Sequence, residues 1–226
     1  GEARLPDKDA LAEAVKHVNY RDIAIEGDRI RLTDPETEID LGGIAKGYIG
    51  DRMAELLKER GVVSAVINLG GNVICVGGKT DTDDFSIGVE TPFSDRSEII
   101  GKVDVRDKTL VTSGVYERRI EVDGKTYHHI IDPATAYPAE SDLASVTIVM
   151  DWGAERLGGK TGNGTLCDAL STALYVMGEE KALDFWRSGP YDFDMVLVTA
   201  EGRVAYTPGL TFLPVEESGY TYESIS

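Results

Sequence analysis

Asp40-Leu41-Gly42-Gly43-Ile44-Ala45-Lys46-Gly47-Tyr48 puts two glycines and a lysine at the mouth of a helix. Across residues 44–59 the apolar side chains Ile44, Tyr48, Met53, Leu56 and Leu57 recur near helical spacing, and Gly61 follows as a C-cap. Gly42 and Gly43 then stand where the first backbone N–H groups of that helix lack an intrahelical acceptor. Such an end attracts anions, and backbone without side chains lets a phosphate come close. Lys46, one turn in, adds a formal positive charge. Taken alone, the segment reads as a Gly-rich turn with a surface lysine; its weight comes from the segments that join it.

Outward from this helix, residues 62–68 are rich in β-branched side chains and read as a strand, separated by Gly70-Gly71 from a second strand at 72–76. Segments 85–90, 98–105, 108–112, 117–122 and 126–131 follow as strands, with Asp123-Gly124 as a hairpin turn, and 144–150 adds another. On the N-terminal side the spacing predicts an amphipathic helix over 8–18 and short strands at 22–26 and 29–32. On the C-terminal side a glycine-rich loop, 153–164, opens into a helix over 165–177. A second helix at 179–186 precedes two strands, 195–199 and 203–206. Strands predominate, hairpins punctuate them and helices are few, which is the pattern of an α+β fold and not of a regular βαβ array. The length of 226 residues suits one large domain or two small ones, and a single domain spanning 1–226 is the expectation.

A formal charge of −17 argues against general nucleic-acid binding, which needs clustered Lys and Arg. It leaves room for an anionic ligand, because local lysine, backbone amides and a divalent cation override the global field. The two cysteines, Cys75 and Cys167, show no paired spacing, so neither a disulfide framework nor a zinc site is indicated. No stretch approaches the roughly eighteen apolar residues of a membrane span. The chain opens at Gly1 with no initiator methionine, so the lack of a visible export signal carries little meaning.

Asp168 and Thr172 stand four apart on the helix expected over 165–177 and share a face, where a carboxylate and a hydroxyl offer two hard oxygens to Mg2+. The competing reading is a capping box, with Thr165 and Asp168 satisfying the helix start. Tyr127-His128-His129-Ile130-Ile131-Asp132-Pro133 holds an imidazole pair. On a strand neighbours face opposite sides, so one histidine is a candidate general base and the other is exposed or packed. Thr112-Ser113-Gly114 places two hydroxyls and a glycine between strands, suited to a phosphate or ribose but equally to an ordinary turn. No Gly-x-Ser-x-Gly elbow is present. The run from Gly153 to Thr161 misses the P-loop pattern, because Ala154 stands where its first glycine belongs.

In order along the chain, residues 40–48, Asn68-Leu69-Gly70-Gly71-Asn72, Thr112-Ser113-Gly114-Val115-Tyr116, His129–Pro133 with Thr135 and Pro138, and Asp168-Ala169-Leu170-Ser171-Thr172-Ala173 resemble the ApbE family, the FAD:protein FMN transferases. The resemblance implies an α+β, T-fold-like architecture of antiparallel sheets with a few packed helices. It implies an enzyme that takes FAD and Mg2+, transfers FMN to a threonine or serine hydroxyl of an acceptor flavoprotein, and releases AMP. An FAD diphosphatase and a non-catalytic flavin-binding protein are the alternatives. By the same resemblance Asp168 and Thr172 are metal ligands, joined by a backbone carbonyl from the Gly42–Ala45 turn, that of Gly43. Lys46 lies near the diphosphate, with the Gly42 and Gly43 backbone beside it. His129 activates the acceptor hydroxyl or steers the transferred group, and Asn68, Gly70, Gly71, Ser113 and Gly114 shape the flavin and phosphate pocket. Where the family commonly carries Gly after Asp-Pro-x-Thr, this chain has Ala136, and it is N-terminally short relative to the family. Family members are typically exported to the periplasm or cell surface, often through a lipid anchor, and the same is the expectation here.

Overall fold

The structure, a computed structural model, describes residues 4–94, 98–116, 119–153 and 162–226. In chain order its helices and strands are α1 (Lys8–Ala14), β1 (Ile23–Glu26), β2 (Arg29–Leu32), α2 (Ala45–Glu59), β3 (Ala65–Asn68), β4 (Asn72–Val76), β5 (Phe85–Glu90), β6 (Ile99–Val105) and β7 (Lys108–Gly114). They continue as β8 (Arg119–Val122), β9 (Lys125–His128), β10 (Leu143–Asp151), α3 (Gly164–Met177), α4 (Glu179–Arg187), β11 (Asp194–Thr199), β12 (Arg203–Tyr206), β13 (Phe212–Pro214) and β14 (Thr221–Ser224). The α+β class is as the sequence indicates. The chain divides into two compact units, one of residues 1–41 and 117–140, the other of residues 42–116 and 141–226.

The first unit is assembled from local pieces. β1 pairs with β2 and β8 with β9, both antiparallel. Asp123 and Gly124 have φ of 51° and 73°, the two left-handed residues of a type I′ hairpin turn, whose twist matches the strands it joins. Helix α1 starts at Asp7, whose Oδ1 accepts from the Asp9 and Ala10 amides at 3.0 and 3.1 Å. The spacing predicts a helix over 8–18, but α-helix ends at Ala14 and a 3-10 turn covers Val15–His17. None of its residues is buried, so no packed face extends it. β9 stops at His128, short of the expected strand to 131, and Ile131 instead bridges Pro138 across a turn at Asp132. Within that turn Ala136 adopts φ 57°, a left-handed conformation that glycine takes without strain.

The second unit is layered. Its seven-stranded sheet runs β14-β12-β11-β10-β7-β4-β3, antiparallel apart from the β12–β14 pair. Leu110, Val149, Val196, Val198 and Val204 turn one face toward a three-stranded sheet, β13-β6-β5, which adds Val89, Ile100, Val103, Val105 and Phe212 to the same core. The other face carries the helices, with Ile67, Ile74 and Val76 packed against Ala54 of α2. Covered on both sides, β10 is buried from Leu143 through Met150, which is why apolar residues occupy both of its faces and only the small hydroxyl residues Ser145 and Thr147 interrupt them. β7 extends past the expected end at 112 because β10 pairs with it through Gly114. Ser113 is therefore a strand residue on the helix-facing side. β13 and β14 have no sequence counterpart in the analysis above: one ends in a proline, and both are short strands at sheet edges.

The first turns of α2 and α3 meet by an exchange of carboxylates. Asp51 of α2 accepts from the Gly164 and Thr165 amides at 2.9 Å each and from Thr165 Oγ1 at 2.8 Å. Asp168 of α3 accepts through Oδ2 from the Gly47 amide at 2.8 Å. Each helix thus satisfies orphan N–H groups of the other. The capping box expected within α3 does not form: Thr165 gives its hydroxyl to Asp51, and Asp168 faces α2. Glycine permits the approach, since a Cβ on Gly47 would overlap the Gly164 carbonyl and lie 2.9 Å from Asp168 Cβ. Gly47→Ala is expected to lower the unfolding free energy in urea by roughly 1–3 kcal/mol, despite a helix-propensity gain of about 1 kcal/mol. Gly50→Ala should cost less, because its Cβ would meet the movable Ile74 Cδ1 at 2.5 Å and not backbone. Equal losses in the two variants would refute the backbone-contact explanation.

Candidate active site

Around the mouth of α2 the second unit gathers segments that are distant in sequence. Gly42 and Gly43 precede the helix, and the space beside Gly43 is open, with no atom within 4 Å of a Cβ placed there. No side chain caps this end of α2, whose N-cap is Ile44. Lys46 Nζ reaches across to donate to the Gly70 carbonyl at 3.0 Å. Gly70 and Gly71 have φ of 65° and 86° and form the tight turn between β3 and β4. Asn68 Oδ1 accepts from the Gly70 amide at 3.0 Å, so Asn68 holds the turn by its side chain. The Gly71 carbonyl in turn accepts from the Thr112 amide at 3.0 Å, which ties the turn to β7.

The hydroxyls lie one step further. Ser113 Oγ is 2.8 Å from Ser171 Oγ and 3.0 Å from Thr172 Oγ1, and Ser171 Oγ donates to the Asp168 carbonyl at 3.0 Å. Thr172 is thereby held on the α3 face that carries Asp168. Gly114, the last residue of β7, lies under the Tyr116 ring, which a Cβ there would strike. Within this unit Lys46, Asn68, Gly70 and Gly71 are linked to β7 by hydrogen bonds, Ser113 links β7 to Thr172, and Asp168 lies one turn before Thr172; Gly42 and Gly43 precede α2 and Gly114 ends β7. His129 belongs to the first unit, is exposed, and follows the end of β9. Its neighbour His128 is half-buried, and burial pulls its imidazole below the ordinary histidine value.

The two exchanged carboxylates differ in how fully they are satisfied. Asp51 is fully buried and accepts three hydrogen bonds, the signature of a structural cap. Asp168, 5 % exposed, accepts a single backbone hydrogen bond among the described residues. Burial pushes its carboxyl above the ordinary value, opposed by the Gly47 hydrogen bond, the neighbouring Asn72 amide and the Lys46 charge. Asn72 lies close enough to exert that pull, yet neither its Nδ2 nor its Oδ1 completes a hydrogen bond. The chemistry of this set is that of hard oxygens beside a cationic lysine and a helix N-terminus, suited to a divalent cation and phosphate oxygens. Both thiols are chemically quiet: burial pushes Cys75 up to about 12 and Cys167 well above its ordinary value.

Three members of this arrangement received no role from sequence, although Gly47 and Asn72 lie inside the motifs quoted above. Asp51, Gly47 and Asn72 act through partners more than a hundred residues away or from a strand start, and no local spacing marks them. Because the folded Asp168 carboxyl lies above its unfolded value, its contribution to stability is present in acid and is lost as pH rises through the folded value. In the cation-free protein, Asp168→Asn should therefore melt progressively higher than wild type as pH is raised from 4 to 7. A difference that is constant across that range would contradict the burial assignment.

The comparisons with known proteins converge on one family. The family model described as the ApbE family matches residues 1–197. An FAD:protein FMN transferase of Treponema pallidum is 33% identical over 223 residues, covering 92% of this chain and 58% of the relative. One of Klebsiella pneumoniae is 38% identical over 191 residues, covering 84% of this chain and 54% of the relative. The solved ApbE protein of Thermotoga maritima superposes with a TM-score of 0.75 at 34% identity, over 89% of this chain and 62% of that one. The flavin transferase ApbE of Vibrio cholerae does so with a TM-score of 0.71 at 26% identity, over 88% and 59%. The chain spans little more than half the length of the curated relatives it matches. With the family model running through both compact units and the fold shared with solved members, this chain belongs to the ApbE family.

Proposed function

We propose that this chain carries out the FMN transfer of an FAD:protein FMN transferase, moving FMN from FAD to a threonine or serine hydroxyl of an acceptor flavoprotein with release of AMP. The names of the relatives support the flavin chemistry. The observation that carries the reading is the buried, under-satisfied Asp168 carboxylate held against the N-terminus of α2 beside Lys46.

Asp168 and Thr172 fit a Mg2+ ion, which favours oxygen donors and shares its coordination with substrate phosphates. Among the described residues no three His, Cys, Asp or Glu side chains form a metal cage, so the backbone near Gly43 and the FAD diphosphate complete the oxygen set in this reading. A cation held there would supply charge neutralisation for the diphosphate and the AMP leaving group. The chain's own part is positional. Lys46 and the open backbone of Gly42 and Gly43 bind phosphate oxygens, and the Gly70-Gly71 turn, fixed by Asn68 and Lys46, shapes the adjoining wall. Ser113 and Gly114 line it from β7, with Ser113 orienting Thr172. The acceptor hydroxyl oxygen bonds to the FMN phosphorus as the anhydride bond to AMP breaks, and the hydroxyl proton passes to a base. His129 is our candidate for that base.

Incubation with FAD, Mg2+ and a threonine-containing acceptor peptide tests the reading, with covalent flavin on the peptide as the expected product. Free FMN plus AMP, with the peptide unchanged, would instead identify a diphosphatase. Asp168→Ala should reduce turnover by about a thousandfold, and wild-type rates in that variant would refute the cation assignment. His129→Ala should slow transfer by on the order of a hundredfold while FAD binding is retained. A binding defect with normal turnover would remove His129 from the proton-transfer role.

A further inference from the structure

Asn72 opens β4 directly after the Gly70-Gly71 turn and stands opposite Val111 of β7. It is 2 % exposed, and neither its Nδ2 nor its Oδ1 has a hydrogen-bond partner. Alternation along β4 puts Asn72 on the same face as Ile74 and Val76, which pack against Ala54 of α2. Its carboxamide therefore points into the helix layer, where Asp168 and the first turn of α2 lie. A buried amide left unsatisfied costs on the order of 1–3 kcal/mol per group, whereas an apolar side chain of similar volume would cost nothing of the kind. In the folded chain alone Asn72 is incompletely satisfied: it acts on the Asp168 carboxylate, yet neither of its amide atoms closes a hydrogen bond.

We propose that Asn72 is a positioning residue, whose carboxamide orients the Asp168 carboxylate toward a bound divalent cation and is itself satisfied only when that cation and its oxygen ligands are in place. The inference rests on Asp168 being a cation ligand. Asparagine suits the task on three counts. Its Nδ2 donates to a carboxylate, its Oδ1 remains to accept from a cation-bound water or a substrate hydroxyl, and as a neutral group it adds no second negative charge beside Asp168. Partners of this kind hold a ligating group in its binding orientation, and their loss commonly weakens metal affinity by about 10–100-fold.

The test uses the full chain without flavin, comparing wild type, Asn72→Leu and Asn72→Ala by Mn2+ calorimetry and by thermal melting of the cation-free proteins. Asn72→Leu is expected to melt at or above wild type while its Mn2+ dissociation constant rises about 10–100-fold, and Asn72→Ala should show a similar rise. A residue that merely packs would give the reverse, a lower melting temperature with Mn2+ affinity unchanged, and that outcome overturns the proposal. Should Asn72→Leu fail to fold, Asn72→Ala and Asn72→Ser, which add no bulk, decide by the same affinity criterion. A wild-type chain that takes up no Mn2+ either alone or with FAD present would overturn the cation reading of Asp168, and this inference with it. Wild-type binding matched by every variant would overturn this inference alone.

Discussion

Two helix N-termini brought together are an electrostatic problem, and the exchange of Asp51 and Asp168 is its solution. Each N-terminus carries roughly half a positive charge, and the first turns of α2 and α3 approach until Gly47 meets the Gly164 carbonyl. Each helix sends one carboxylate into the other's unsatisfied amides. Removing a carboxylate from water costs several kcal/mol, and charge-assisted hydrogen bonds of about 1.5–3 kcal/mol each offset that cost. The layout of the second unit follows from this junction, because it fixes where α3 lies on the sheet and hence where Thr172 meets Ser113.

The exchange is uneven, and the unevenness separates structure from chemistry. Asp51 spends its oxygens on three donors and is complete. Asp168 holds one backbone amide and lies beside the Asn72 side chain, while burial pushes both carboxyls above their ordinary value. In the reading proposed above, a cation brought to such a carboxylate would stabilise its charged form. Lys46 is also held in place: its bond to Gly70 ties the α2 mouth to the β3–β4 turn.

The first unit contributes differently. It is made of two hairpins, a short capped helix and a turn at Asp132, all stabilised locally, and it carries the histidine pair. Its Asp123-Gly124 turn and the left-handed Ala136 are local backbone constraints that need no distant partner. The second unit is the opposite case. Its seven-stranded sheet pairs β12 with β14 in parallel and β4 with β7 across more than thirty residues.

The sequence by itself determined the α+β class, the positions of α2, α3 and α4, most strands of the central sheet, and the family, through motifs whose order survives without coordinates. Periodicity and turn chemistry are local, so they are legible along the chain. It also marked Asp168 and Thr172 as one helix face, because four-residue spacing imposes that regardless of context. What the Asp168 face looks at was decided only by tertiary structure. A capping box and a carboxylate reaching into another helix have the same sequence signature, and only the α2–α3 junction distinguishes them. Asp51, Gly47 and Asn72 were silent for the same reason: their partners lie across the fold, and desolvation, contact and unmet hydrogen bonding exist only once the chain has packed.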